Sequence, residues 1–358
     1  MIRSDLPELP GVLSGDEIAQ SARYLLDCQE HSGAIPWFRG GHLDAWDHVE
    51  CAMALSATGH RDAAARAYDW LADVQDADGA WPARMRQGRV ADPIREPNHA
   101  AYLAVGVWHH VLVTGDDAFA RRLWPAVRRA VDFVLGLRTE RGEIRWARDP
   151  DGSAGDHALL TGCASIHQGL RCAVALAEHL GRPQPDWELA AAQLGHLVCE
   201  HESVFADRSR YSMDWYYPIL GGAMRGERAR DRVAERWDTF VVPELGIRCV
   251  SDQPWVTGAE SSELVLSLAA IGETDRGVEV LSWIQHLRDP DDGAYWTGYQ
   301  FAEQVRWPVE RSTWTAAAVI LAADALCGAT PGSRVFTDLP VETAPVDPAH
   351  CGCTSLVG

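Results

Sequence analysis

The sequence predicts an all-α chain folded as an (α/α)6 barrel, and two recurring marks carry that prediction. The first is a phrase, Gln75-Asp76-Ala77-Asp78-Gly79-Ala80-Trp81, that returns as Arg288-Asp289-Pro290-Asp291-Asp292-Gly293-Ala294-Tyr295-Trp296, with looser versions from Gln29 to Trp37 and from Arg138 to Trp146. Each version closes one helical stretch and precedes another, which is how a repeat protein reads. The second mark is a set of six glycines, Gly59, Gly115, Gly181, Gly226, Gly272 and Gly328, each after an apolar helical run. Six such glycines imply six helical hairpins. An open solenoid would use the same hairpins, but a closed ring of twelve helices covers the apolar stripe that each hairpin leaves bare.

Taken in order, outer helices are expected at about 16–29, 62–76, 117–138, 187–202, 227–240 and 275–288. Their inner partners should start near Asp44, Glu96, Asp156, Asp214, Thr257 and Glu310. The glycines suit the left-handed position after an inner helix, and several outer helices then open on Asp or Glu at the positive end of the helix dipole. The longer loops, which carry the Gly-x-Trp phrases, gather on the opposite face with all six inner N-termini. That face should hold any site. One barrel is expected to use residues 1–330, and residues 331–358, rich in Pro, Thr, Val and Gly, read as an extended or partly disordered tail.

Composition narrows the function classes. Fifty-one acids against 32 Lys plus Arg leave a formal charge of -19, which repels phosphate backbones, anionic lipids and polyanionic sugars. Nucleic acid and membrane are therefore not expected as partners. The N-terminus has no apolar core of signal-peptide length and no run approaches a membrane span, so a cytoplasmic protein is expected. Nine cysteines are scattered mostly on apolar helix faces, as with Cys51, Cys163, Cys172, Cys199 and Cys327, and read there as buried free thiols. Cys351-Gly352-Cys353 makes no zinc signature, and neither a metal nor an organic cofactor is expected. A ring of this kind can be a monomer or a weak homo-oligomer.

Fifteen tryptophans are more telling. Trp37, Trp81, Trp146, Trp215, Trp255, Trp296 and Trp307 fall in or beside the loops of the expected functional face. An indole offers a flat apolar surface and one N–H donor, suited to the C–H face of a sugar or to an apolar chain; it serves equally well as a wedge between hairpins.

The sharpest chemical signal is Asp44-Ala45-Trp46-Asp47-His48, where Asp44 and Asp47 lie three apart at the first turn of an inner helix and share a face. Asp44 also fits a plain N-cap, whereas Asp47, flanked by Trp46 and His48, is harder to explain by capping. A second cluster is Trp255-Val256-Thr257-Gly258-Ala259-Glu260-Ser261-Ser262-Glu263. Thr257 and Glu260 fit a capping box, yet Glu263 repeats the three-residue spacing and small residues leave room around both acids. Asp47 belongs to the first hairpin and Glu260 to the fifth. In a closed ring only the sixth hairpin separates them, so the two carboxylates can face each other across the mouth. Glycoside hydrolysis needs such a pair, one acid to protonate the leaving oxygen and one base to activate water or attack the anomeric carbon, whereas a non-catalytic sugar-binding toroid would keep the aromatic mouth and need no acid pair. Asn98 and His99, Asp156 and His157, Asp214 with Trp215, Tyr216 and Tyr217, and Glu310 with Arg311 and Trp314 are further mouth residues able to bind sugar hydroxyls, or to cap helices.

By these residues the chain resembles the six-hairpin toroids. The Gln-x-x-x-Gly-x-Trp phrase is similar to the repeat of squalene and hopene cyclases, and Asp289-Pro290-Asp291-Asp292 spells the acidic string of the class II members. Aligned on its own repeat, however, that string matches Asp76-Ala77-Asp78-Gly79, which is a turn. A protein prenyltransferase would also need a clustered Asp, Cys and His zinc set, which is missing here. The closer resemblance is to the actinobacterial endo-mannanases that cleave cytoplasmic methylmannose polysaccharides, compact toroids with an early aspartate and a glutamate on the fifth inner helix. That resemblance implies an inverting endo-α-1,4-mannosidase with Asp47 and Glu260 as the catalytic pair. It implies a polysaccharide substrate, and the residues at or near the mouth, Trp37, Asp44, Trp46, His48, Trp81, His99, Asp214, Tyr216, Tyr217, Trp255, Glu263, Trp296 and Glu310, are the candidates to hold it.

Overall fold

The computed structural model describes residues 6–338. Twelve helices alternate between an outer and an inner layer. The outer ones are α1 (Gly15–Cys28), α3 (Arg61–Asp73), α5 (Asp117–Leu135), α7 (Pro185–Glu200), α9 (Gly226–Phe240) and α11 (Thr274–Trp283). The inner ones are α2 (Ala45–Ala57), α4 (Pro97–Thr114), α6 (Leu160–His179), α8 (Ser212–Leu220), α10 (Gly258–Ala270) and α12 (Thr313–Cys327). Each inner helix packs on the next, and α12 returns to pack on α2, so the ring is closed.

The layers differ because their sequences do. Every residue of α2 from Ala45 to Ala57 is buried, as an inner helix touched on all sides must be. Outer α5 buries one face, with Phe119, Leu123, Val127 and Val134 inward and arginines outward. Ser14 and Glu17 form a full capping box on α1, which fixes the entry of the chain into the barrel.

The repeated phrase is a staple between successive outer helices. Gln75 donates its amide to Gly79 O in its own turn at 2.8 Å and to Ala126 O on α5 at 3.0 Å. Gln29 does the same to Gly33 O and to Ala63 O on α3. At φ +94 a Cβ on Gly79 would lie 2.1 Å from Arg129 O, and one on Gly33 2.4 Å from Arg66 O. Glycine is thus required twice over, by conformation and by contact. The last copy seals the ring: Gly293 rests on Gln20 and Ser21 of α1, and Ser21 Oγ donates to Gly293 O at 2.8 Å. Within that copy Asp289 and Asp292 both accept from Arg311, so the acidic string is a turn.

Four expectations need correction. α6 begins at Leu160 rather than Asp156, which is exposed, and α12 at Thr313 rather than Glu310, because Ser312 caps it by accepting from Thr315 N. Gly226 does not close α8; Gly221 caps that short helix and Gly226 opens α9. The stretch after residue 330 does not start as a tail. Pro331–Ser333 and Arg334–Thr337 form short helical turns whose Val335 and Phe336 are fully buried against α4, α10 and α12. Gln168 and Arg225 hold the carbonyls of Val335 and Phe336, so this segment plugs the floor of the barrel. Cys351 and Cys353 lie outside the described residues.

The mouth loops also carry short antiparallel strands. A three-stranded sheet joins β1 (His42–Leu43), β2 (Arg84–Arg86) and β3 (Arg89–Asp92). A five-stranded sheet orders β4 (Val241–Val242), β5 (Gly246–Arg248), β6 (Trp255–Thr257), β7 (Gly298–Gln300) and β8 (Val305–Arg306). Among the described residues no single helix is long and apolar enough to cross a membrane, and seven cysteines are free thiols, Cys28, Cys51, Cys163 and Cys172 being buried.

Candidate active site

Asp44 is the N-cap of α2, accepting from Asp47 N at 2.9 Å. One turn on stands Asp47, and one turn further Glu50, so three acids descend one face of α2 into the barrel. On α10 Glu260 and Glu263 repeat the spacing, and all four of Asp47, Glu50, Glu260 and Glu263 are buried. Burial withholds water from the charged form and pushes the Asp47 carboxyl well above the usual carboxylate range; Asp44, Glu50 and Glu263 add repulsion. Glu263 is raised well above its ordinary value for the same reasons, burial first and then Glu50. Asp47 therefore stands protonated under conditions that ionise a solvated aspartate.

The lower pair is held by aromatic hydroxyls and indoles. Tyr216 and Tyr217, from α8, each donate to a different oxygen of Glu263 at 2.5 Å. Glu50 accepts from Trp46 Nε1 at 3.1 Å, Tyr102 OH at 2.9 Å and Trp314 Nε1 at 2.8 Å. Burial raises Glu50 to about 7, against the pull of those three donors. Trp46 lies flat on Tyr102 with ring centroids 4.3 Å apart. Glu50 and Tyr102 belong to this site and the sequence reading passed over them, whereas Trp314, expected at the mouth beside Glu310, does reach it. The signal was present: Glu50 follows Asp47 by the same three residues that separate Glu263 from Glu260.

Above the acids the rim is aromatic. Trp37 stacks on His42, leans on Trp314 at 5.5 Å and donates its N–H to Glu310 at 2.9 Å. His99 stands edge-on to Trp46 with centroids 6.3 Å apart. Asp214 is buried at the start of α8 and accepts from Thr161 N at 3.2 Å and from Thr161 Oγ1. Trp255, on β6, donates to Trp307 O and meets that ring edge-on.

Other expected contacts have structural work instead. His48 is fully buried, with Ile35 N donating to Nδ1 at 3.1 Å and Nε2 bonded to Ala67 O at 2.9 Å. Both ring nitrogens are spent on main chain, so His48 anchors the first loop to α3 and offers nothing to a sugar. Burial lowers its pKa to about 4. Trp81 is likewise enclosed, its N–H given to Leu71 O, and Trp215 gives its own to Arg232 O. The guanidinium groups of Arg306 and Arg311 both lie over the ring of Trp296, 5.2 and 5.8 Å from its centroid. A tryptophan that follows a turn glycine can wedge hairpins or face the mouth, and only packing decides which.

No protein-family model matches the chain. It is 52% identical over 358 residues, 99% of either chain, to the MMP endo-(1,4)-3-O-methyl-alpha-D-mannosidase of Mycolicibacterium hassiacum. Among solved structures it superposes on a glycosidase variant in complex with glucose at a TM-score of 0.71 and 19% identity, covering 87% of this chain and 96% of that one. A bacterial glucoamylase complexed with acarbose aligns at 0.68 and 13%, covering 92% of this chain and 58% of that one. A D-mannose isomerase aligns equally well at 0.68 and 10%, covering 90% and 100%, so the shared barrel does not by itself select the reaction. The 52% identity along the whole length does: the chain is a glycoside hydrolase and belongs to the family of the MMP endo-(1,4)-3-O-methyl-alpha-D-mannosidase.

Proposed function

We propose that this enzyme cleaves internal α-1,4 bonds of a 3-O-methylated mannose chain with inversion, Asp47 acting as general acid and Glu260 as general base. The observation that carries the assignment is the burial of Asp47 beside three other acids, which keeps on it the proton that the leaving oxygen needs. Glu260 opens α10, the inner helix on the other side of α12 from α2. In this reading Asp47 passes its proton to the glycosidic oxygen while Glu260 takes one from the attacking water. Trp37 and Trp46 offer their faces to the sugar, with Asp44, His99, Asp214 and Glu310 as the hydroxyl partners nearest the rim. Glu50 and Glu263 lie beneath and hold the aromatic walls. The reaction requires no metal or organic cofactor, and the free buried thiols suit a reducing cytoplasm.

The test is incubation of the protein, with and without a chelator, with α-1,4-linked 3-O-methylmannose oligomers, followed by mass spectrometry and NMR of the nascent anomer. Shorter oligomers released as the β-anomer in both samples support the reading. An α-anomer would replace inversion by retention, loss of turnover on chelation would overturn the cofactor-free mechanism, and intact oligomers would overturn the substrate assignment.

A further inference from the structure

On the mouth face lies a cavity of about 380 Å³ whose walls come from the N-terminal ends of α4, α6 and α8 and from the loop before α6. Its volume falls within the roughly 300–1,000 Å³ of small-molecule sites. The walls are chiefly apolar: Ile144, Cys163, Ile166 and Met213 line it, with the Trp146 ring, itself stacked on His157, at one side. Glu96, Asn98, Thr161, Arg208 and Asp214 supply polar edges.

Two observations join this cavity to the reacting centre. Met213 lines it and also packs against the cluster of Ala259, Trp314 and Ala318, next to Glu260. The inner helices run round the ring as α2, α4, α6, α8, α10 and α12. The cavity is thus centred on α6, the helix opposite α12, while Asp47 and Glu260 stand on the two helices that flank α12. A chain reaching from the Trp37 and Trp314 wall into this cavity passes between the two carboxyl groups.

Resting on the proposed substrate, we infer that this cavity is a subsite that receives a mannose unit next to the cleaved bond and selects it for its methyl ether. A methyl ether against the wall of Ile144, Cys163, Ile166 and Met213 fills apolar space, whereas a free hydroxyl facing that wall would give up water without a partner. Pockets of this kind discriminate one methyl-sized group by about ten- to two-hundredfold.

Gly162 makes the test clean. It lines the cavity on the first turn of α6, and a Cβ built on it meets only Leu159 Cβ, at 3.8 Å. Gly162→Leu therefore fills the space while favouring the helix. The experiment measures kcat/KM on 3-O-methylated and unmethylated α-1,4-mannose oligomers for wild type, Gly162→Ala and Gly162→Leu, together with binding of both oligomers by calorimetry. The expected result is a fall of at least tenfold in the preference for the methylated oligomer with Leu and a smaller fall with Ala. Equal losses on both oligomers, or an unchanged preference, would overturn the subsite. If wild type cleaves neither oligomer yet binds the methylated one more tightly, with that preference lost in Gly162→Leu, the subsite stands and the proposed hydrolytic substrate falls.

Discussion

Trp314 on the last inner helix donates its indole N–H to Glu50 on the first, at 2.8 Å across 264 residues of sequence. That bond crosses the seam where the ring closes, and it ties the wall of the site to the acid beneath it. Trp314→Phe keeps the ring but removes the donor from a buried carboxyl group. A stability loss of about 1–3 kcal/mol is expected by denaturant titration, with a lower kcat. A variant as stable as wild type would show that the seam is held by packing alone.

Asp47→Asn and Glu260→Gln are each expected to reduce kcat by several orders of magnitude with near-native unfolding midpoints, since neither acid is held by a hydrogen-bond network like that around Glu50 or Glu263. Single-turnover kinetics on the proposed substrate measure the loss. Turnover close to wild type in either variant removes that residue from the pair.

Asp44 raises the Asp47 carboxyl by charge repulsion and by a side-chain hydrogen bond, second to burial. Asp44→Asn retains an oxygen to cap α2 and removes the negative charge. The sign follows directly: with less repulsion Asp47 loses its proton at lower pH, so the alkaline limb of kcat/KM moves to lower pH. A pH–rate profile that keeps its alkaline limb would detach that limb from Asp47.

His48 is a structural pin. His48→Phe strands the Ile35 N–H in the core, so a loss of about 1–3 kcal/mol is expected with the kcat of the remaining folded enzyme little changed. Its pKa is lowered from 6.5 to about 4, so the neutral form belongs to the fold. Its contribution is present above pH 6.5 and is lost as pH falls toward 4. Thermal melts of wild type should decline through that window more steeply than those of the variant.

Gly79→Ala tests the staple. Its φ of +94 and the 2.1 Å approach to Arg129 O leave no place for a methyl group, and a cost of at least about 1–3 kcal/mol is expected. Gly11, with nothing within 4 Å at φ +83, carries the conformational penalty alone and serves as the comparison. Equal melting shifts for the two alanine variants would show that close packing adds nothing at Gly79.

Much of this was legible in the chain. The helix periods, the turn glycines and the phrase after each outer helix are local features, and the layers follow from which stretches are apolar on every side. Asp44, Asp47, Glu260 and Glu263 were readable because their three-residue spacing places them on one helix face. The sheets in the mouth loops were not, since strands of two to four residues carry no period. The plug at Pro331–Thr337 was hidden for a similar reason: Val335 and Phe336 have too few apolar neighbours in sequence to mark a core element.

The sequence by itself determined six hairpins, the face that carries the long loops and the acids at the inner N-termini, because each depends on residues within a turn or two of one another. Only the tertiary structure decided which of those residues meet. Closure of α12 on α2 brings Trp314 to Glu50, the approach of α8 brings Tyr216 and Tyr217 to Glu263, and packing against Leu71 takes Trp81 out of the mouth. Burial and hydrogen bonding across helices set the proton affinity of the acids, and neither exists until the ring has closed.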